Sequence, residues 1–187
     1  MENTMVVNGR KYRILRLLGK GKGGYSYLAQ GEAGEVVLKQ IHHEPCDYYQ
    51  FGDKLASELR DYERLRAVGV PMPELLDVDR AQERLIKAYV PGATVYEMVL
   101  RNALPEVCLE AVRRIAELLK RENLNIDYFP TNFIWHDGTL FYVDYECNAY
   151  MEQWNFENWG IKYWFQSPEF LAYAAGHGDG IPCGEER

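Results

Sequence analysis

Apolar positions follow a period of two through much of the early chain, the spacing of half-buried β-strands. Tyr12 to Leu18 is a β-prone run that leads into Gly19-Lys20-Gly21-Lys22-Gly23-Gly24. Strand character resumes from Tyr25 to Gln30, and Gly31-Glu32-Ala33-Gly34 predicts a turn. Glu35 to Ile41 alternates, with Val37, Lys39 and Ile41 on one face and Val36, Leu38 and Gln40 on the other. Strand, glycine loop, strand, turn and strand make an antiparallel meander. The period then becomes helical from Phe51 to Val68, where Leu55, Leu59, Tyr62 and Leu65 share a face. Gly69, Pro71 and Pro73 stop that helix.

Leu75 to Val78 and Arg84 to Val90 predict two more strands before Pro91-Gly92 breaks the chain. Helices follow at Val95 to Asn102 and at Pro105 to Glu122, the second with Val107, Ala111, Ile115 and Leu118 as its apolar stripe. Two short β-like pieces, Asn132 to Trp135 and Leu140 to Asp144, flank a His-Asp-Gly-Thr turn. No internal repeat occurs. Residues 1–187 read as one α+β domain of two lobes, an antiparallel-sheet lobe over about 1–90 and a helical lobe over about 93–187.

Composition narrows the function classes. With 47% apolar and 26% charged residues among 187, the chain can bury a core and is no low-complexity or disordered sequence. Its net charge of −7 repels phosphate backbones and anionic lipid, so neither nucleic acid nor membrane is an expected partner. Cys46, Cys108, Cys147 and Cys183 are scattered, which fits neither a disulfide framework nor a zinc site and suits a reducing cytoplasm. No basic segment followed by an apolar run opens the chain, and no run of about 18 apolar residues occurs, so neither a signal peptide nor a membrane span is expected.

Three features carry candidate chemistry. Gly19, Gly21 and Gly24 fit G-x-G-x-x-G, but they lie between two strands, whereas a dinucleotide site needs a helix after the loop. A glycine hairpin instead lets backbone N–H groups approach phosphate oxygens without a Cβ in the way. Lys39, in the middle of an apolar strand, needs a partner, and Glu58 in the next helix is a natural one. That pair reads either as a surface ion pair of little energetic weight or as a phosphate-holding lysine with its orienting carboxylate. Finally, Asp127 and Asn132 lie five apart in an otherwise apolar loop, followed by Asp144. An acid that can take a hydroxyl proton, with an amide and a carboxylate for magnesium, is the set that phosphoryl transfer requires.

In this order, over about residues 12 to 146, the set resembles the protein-kinase-like superfamily. The resemblance implies a two-lobed fold and assigns Gly19, Gly21 and Gly24 to the glycine-rich loop, Lys39 to the strand lysine and Glu58 to the helix glutamate. Lys87-Ala88-Tyr89-Val90-Pro91-Gly92 resembles the hinge, whose backbone at Ala88 and Val90 would bind adenine. Asn125 to Asn132 resembles the His-Gly-Asp-Leu-His-Pro-x-Asn loop of aminoglycoside and choline kinases, with Asn125 where the histidine stands. Val143-Asp144-Tyr145-Glu146 resembles their Ile-Asp-Phe-Glu. The resemblance implies ATP and Mg2+ as cofactors, Asp127 as base or hydroxyl-orienting group, and Asn132 and Asp144 on the metal. Only 43 residues follow Asp144, which implies a shortened helical lobe like that of the small atypical kinases related to Bud32 and RIO.

So short a tail predicts an open site suited to a serine or threonine hydroxyl on a protein. The alternatives are a small-molecule acceptor, enclosed by a second copy docked through the aromatic C-terminal region, and a pseudokinase that binds nucleotide or partner without turnover. Residues 141–173 hold 12 of the 25 aromatics, a density expected to build the core of a small lobe. Ser167-Pro168-Glu169 predicts a helix start, with serine as N-cap and proline at N1. His42 and His43 are expected to be solvated.

Overall fold

A computed structural model describes residues 3–44 and 52–177, so the proposed helix start at Phe51, Cys46 and Cys183 lie outside the described residues. The chain divides into two compact units. Among the described residues, one contains 3–44, 52–57 and 73–89, the other 58–72 and 90–177.

The first unit is a six-stranded antiparallel sheet in the order β1-β2-β3-β4-β6-β5. Its strands are β1 (Thr4–Val7), β2 (Arg10–Lys20), β3 (Gly24–Gly31), β4 (Gly34–Ile41), β5 (Leu75–Asp79) and β6 (Arg84–Ala88). β1 was not expected, although Asn8-Gly9 is a strong hairpin signal. Both residues take positive φ, 47° and 80°, as a two-residue turn demands. The sheet curls until its edges meet: Asn8 N donates to Asp79 Oδ2 at 2.9 Å, and Arg84 Nη1 donates to Val6 O at 2.6 Å. Val7, Tyr12, Ala29, Val36, Leu38 and Ile86 fill the inside of the curl. This mixed α/β chain therefore contains a curled antiparallel sheet consistent with a kinase-like N-terminal lobe.

α1 (Lys54–Val68) begins where Asp53 Oδ1 accepts from Ala56 N at 2.8 Å, and the boundary between the units falls after its first turn. Beyond that boundary the second unit contains α2 (Val95–Leu100), whose Thr94 and Glu97 form a capping box, and α3 (Glu106–Arg121). The buried stripe of α3 is Cys108, Val112, Ile115 and Leu119. It is rotated from the expected one, since Val107 and Leu118 are exposed. Two short ladders follow, β7 (Leu124–Asn125) with β10 (Asn148–Ala149) and β8 (Phe133–His136) with β9 (Thr139–Tyr142). α4 (Pro168–His177) starts as expected, with Phe170 N donating to Ser167 Oγ at 3.0 Å.

The aromatic stretch supplies much of this unit's core. Trp164 is fully buried between Phe133 and Phe156, with ring centroids 5.0 and 5.5 Å away, and its Nε1 donates to Tyr128 O at 2.7 Å. Gly160 passes so close that a Cβ there would lie 2.6 Å from Tyr128 Cβ and 3.1 Å from Phe156 Cδ2. Gly160→Ala should therefore destabilise the protein by about 1–3 kcal/mol in denaturant unfolding. An unchanged midpoint would refute this packing.

Burial pushes the Cys108 and Cys147 thiols up to about 11 from an ordinary 9.0, with the Asp61 charge adding to the shift at Cys147. An unfolded chain then loses thiol protons from pH 9 while the folded one keeps them until about 11. Stability should be fully present below pH 9 and fall as pH rises toward 11. Denaturant midpoints taken across that interval check the sign, and a flat or rising profile would contradict it.

Candidate active site

The first unit holds the glycine hairpin. Lys20 pairs with Tyr25, and Gly21 N donates to Gly24 O at 2.9 Å, so the tip is residues 21–24. Gly19 is not in the tip: it sits within β2 opposite Ser26, beside a register shift. Gly24 lies against the neighbouring strand, where a Cβ would collide with Gln40 O at 2.4 Å, whereas a Cβ on Gly21 would meet nothing within 4 Å. The base of the hairpin is braced by the ion pair of Lys20 with Glu44, 2.7 Å apart, and by Tyr25 OH donating to Glu44. The Lys20 hydrogen bond holds the Glu44 carboxyl below its usual range.

Lys39 lies in β4 opposite Ser26 and Leu85 and is buried. A Cβ on Gly23 would stand 3.7 Å from Lys39 Nζ, so the ammonium reaches the backbone of the hairpin tip. That closeness makes Gly23, outside the G-x-G-x-x-G spacing, part of the site. Ala88 ends β6, and its N–H donates to Glu74 O at 2.8 Å. The backbone group it could offer a nucleobase is therefore its carbonyl.

Two residues here escaped sequence reasoning. Lys54 is only 6% exposed, and its Nζ donates to Lys22 O at 3.1 Å and His42 O at 2.7 Å. Its place in the sequence is that of an ordinary helix charge, and nothing in the spacing marks it. His42 is not simply solvated: its Nε2 lies 3.0 Å from Gly21 O, and His43 pairs with Glu83 at 2.6 Å.

The second unit brings Asp127, Asn132 and Asp144 together. Asp127 follows β7, and its Oδ1 accepts from Phe129 N at 3.0 Å, which fixes the carboxylate in a tight turn. Pro130–Asn132 forms a 3-10 turn, and Asn132 Nδ2 donates to Asp127 O at 3.2 Å. Past the β8–β9 pairing of Phe133 with Tyr142, Val143 N donates to Asn132 O at 2.9 Å, which carries the next residue, Asp144, to the same end of the hairpin. The buried Tyr142 phenol registers both carboxylates: burial raises it most, and the charges of Asp144 and Asp127 raise it further. All three groups are partly exposed above the buried Tyr128, Phe129 and Phe133.

This donor set fits magnesium. Among the described residues no three His, Cys, Asp or Glu side chains form a metal cluster, so these residues offer no complete cage. Magnesium takes one or two carboxylates and completes its shell with water and phosphate oxygens, a share that Asp144 with the Oδ1 of Asn132 could supply. Glu58 is buried on α1 in this second unit, with Val90. Lys39 belongs to the first unit, so the pairing of Lys39 with Glu58 stays an expectation.

Asn125, where the resemblance has histidine, is 5% exposed and its Nδ2 donates to Trp154 O at 2.9 Å. It therefore ties the start of the Asp127 loop to the aromatic stretch. Buried Asp61 of α1 accepts from Cys147 N at 3.3 Å, and Tyr62 packs at a tilt against Tyr145 with centroids 4.5 Å apart. These contacts seat the segment that follows Asp144, and nothing in the spacing of Asp61 announced them.

Among the described residues no helix is long and apolar enough to cross a membrane. The chain matches no protein-family model. It is 23% identical over 114 residues to the KEOPS complex subunit Bud32 of Pyrococcus abyssi, a match covering 59% of this chain and 52% of that protein. The chain thus spans about half the length of the curated relative it matches. Together with the curled sheet, this similarity supports a distant kinase-like relationship.

Proposed function

We propose that this protein is an ATP- and Mg2+-dependent phosphotransferase that moves the γ-phosphoryl group to a hydroxyl, a serine or threonine side chain on a protein. The observation that carries the reading is the convergence of Asp127, Asn132 and Asp144 at one end of the β8–β9 hairpin. The new bond joins the acceptor oxygen to the γ-phosphorus, the bond to the β,γ-bridging oxygen breaks, and ADP leaves. Asp127 orients the acceptor hydroxyl and accepts its proton. Asn132 and Asp144 would hold Mg2+, which supplies charge neutralisation at the phosphates. Lys39 would hold phosphate oxygens beneath the glycine hairpin, while Glu58, Ala88 and Val90 keep the roles that the resemblance implies, orienting carboxylate and adenine-binding backbone. Positioning and electrostatics carry the catalysis, since a loose phosphoryl transition state asks little covalent help.

Incubation with labelled ATP and Mg2+, followed by phosphopeptide mapping, should find label on serine or threonine of a protein, the chain itself included. Asp127→Asn should lower the transfer by about 10²–10⁴-fold. Lys39→Ala should also lose orders of magnitude while folding normally. Label on a small alcohol or amino sugar and on no protein would exclude the protein acceptor. Unchanged turnover in both variants would remove the site.

Metal dependence is separately measurable. Calorimetry should show ATP binding strengthened by Mg2+ in the native protein and much less in Asp144→Asn. Equal Mg2+ dependence in the two would count against Asp144 as a ligand.

That the P. abyssi relative is a subunit of a complex favours one second reading, a nucleotide-binding subunit without turnover. ATP binding with no label transfer to any acceptor would identify it.

A further inference from the structure

We propose that Lys54 is a positioning residue that fixes the shape of the glycine hairpin and turns its amides toward bound phosphate; the phosphate rests on the kinase-like reading above, the clamp on geometry alone. The carbonyls of the tip are engaged in succession. Gly21 O meets His42 Nε2 at 3.0 Å, Lys22 O accepts from Lys54 Nζ at 3.1 Å, and Gly23 O accepts from His42 N at 3.4 Å. Among the described residues no peptide bond is cis, and in a trans peptide the carbonyl of one residue points opposite to the N–H of the next. Drawing the Gly21 and Lys22 carbonyls toward His42 and Lys54 therefore turns the N–H groups of Lys22 and Gly23 to the other side. Successive amides held on one side form the concave, partly positive surface that binds anions.

Lys54 does more than satisfy one carbonyl. Its second bond, 2.7 Å to His42 O, joins the hairpin tip to the residue that follows β4. One buried ammonium thus staples two backbone segments, and both bonds are charge-assisted. A glycine tip left to itself samples many conformations, and ordering it would be charged to each nucleotide that binds. The clamp meets that cost when the protein folds. Neutral side chains of similar length fill the same space without donating, so packing and clamping are separable by substitution.

The test uses the full chain with Lys54→Met, which keeps length and removes the donors, and Lys54→Arg, which keeps them. Amide hydrogen exchange over residues 20–25 without nucleotide reads the clamp directly. Lys54→Met should exchange there about tenfold faster, bind Mg-ATP about tenfold more weakly and raise KM for ATP with little change in kcat, because the reacting groups are untouched. Lys54→Arg should recover most of both effects. Lys54→Leu, which also lacks any donor, replaces the methionine variant should that one fail to fold. Unchanged exchange in a folded variant overturns the clamp. Faster exchange with unchanged ATP affinity overturns its role toward phosphate. A native chain that binds no ATP overturns the kinase-like reading instead, and the exchange result alone then decides the clamp.

Discussion

Desolvation of charge is the constraint on which the rest of this structure depends. Lys39, Lys54, Glu58, Asp61, Asp79 and Lys87 are all buried, and a buried ion without partners is too costly to persist. For Asp79, Lys54 and Asp61 those partners include backbone groups. Asp79 accepts from the Asn8 and Gln82 amides, and those bonds hold its carboxyl below the usual range while the Asn8 bond closes the curl of the sheet. Lys54 holds two carbonyls near the glycine hairpin, and Asp61 holds the Cys147 amide beside the segment that carries Asp144. Asp79, Lys54 and Asp61 each hold backbone groups distant in sequence and so fix the segments that carry them.

The same economy explains the chemistry-bearing groups of the second unit. Asp127, Asn132 and Asp144 lie in loops, yet each is tied by a hydrogen bond to its own or a neighbouring backbone group. The Val143 to Asn132 bond prolongs the β8–β9 ladder by one step, and that step brings residues 132 and 144 side by side. Beneath them Tyr128, Phe129, Phe133 and Tyr142 are fully buried.

Aromatic density in the chain's last third serves packing first. Phe156, Trp164 and Phe170 are fully buried, while Trp154 and Phe165 remain about half exposed, at 48% and 53%. Large rings bury much area per residue, which lets few elements enclose a core. Gly160 is the counterpart of that packing, since the Tyr128 and Phe156 rings occupy the space its side chain would need.

Local patterning determined much of this protein from the sequence alone. The β3–β4 meander, α2, the β8–β9 hairpin around Asp137-Gly138 and the Ser167 cap each follow from period or turn chemistry acting within a few residues. So does the meeting of Asp127, Asn132 and Asp144, because a short hairpin separates the last two. Tertiary structure decided what local pattern leaves degenerate. α3 has apolar residues on more than one stripe, and only packing selected Cys108, Val112, Ile115 and Leu119 over the face with Val107 and Leu118. The two-residue strands β7 and β10 are too short to show a period and exist through their mutual pairing. Lys54 and Asp61 look like ordinary surface charges of an amphipathic helix. Their roles come from carbonyl and amide groups distant in sequence, and a backbone group carries no signature in the residue that bears it.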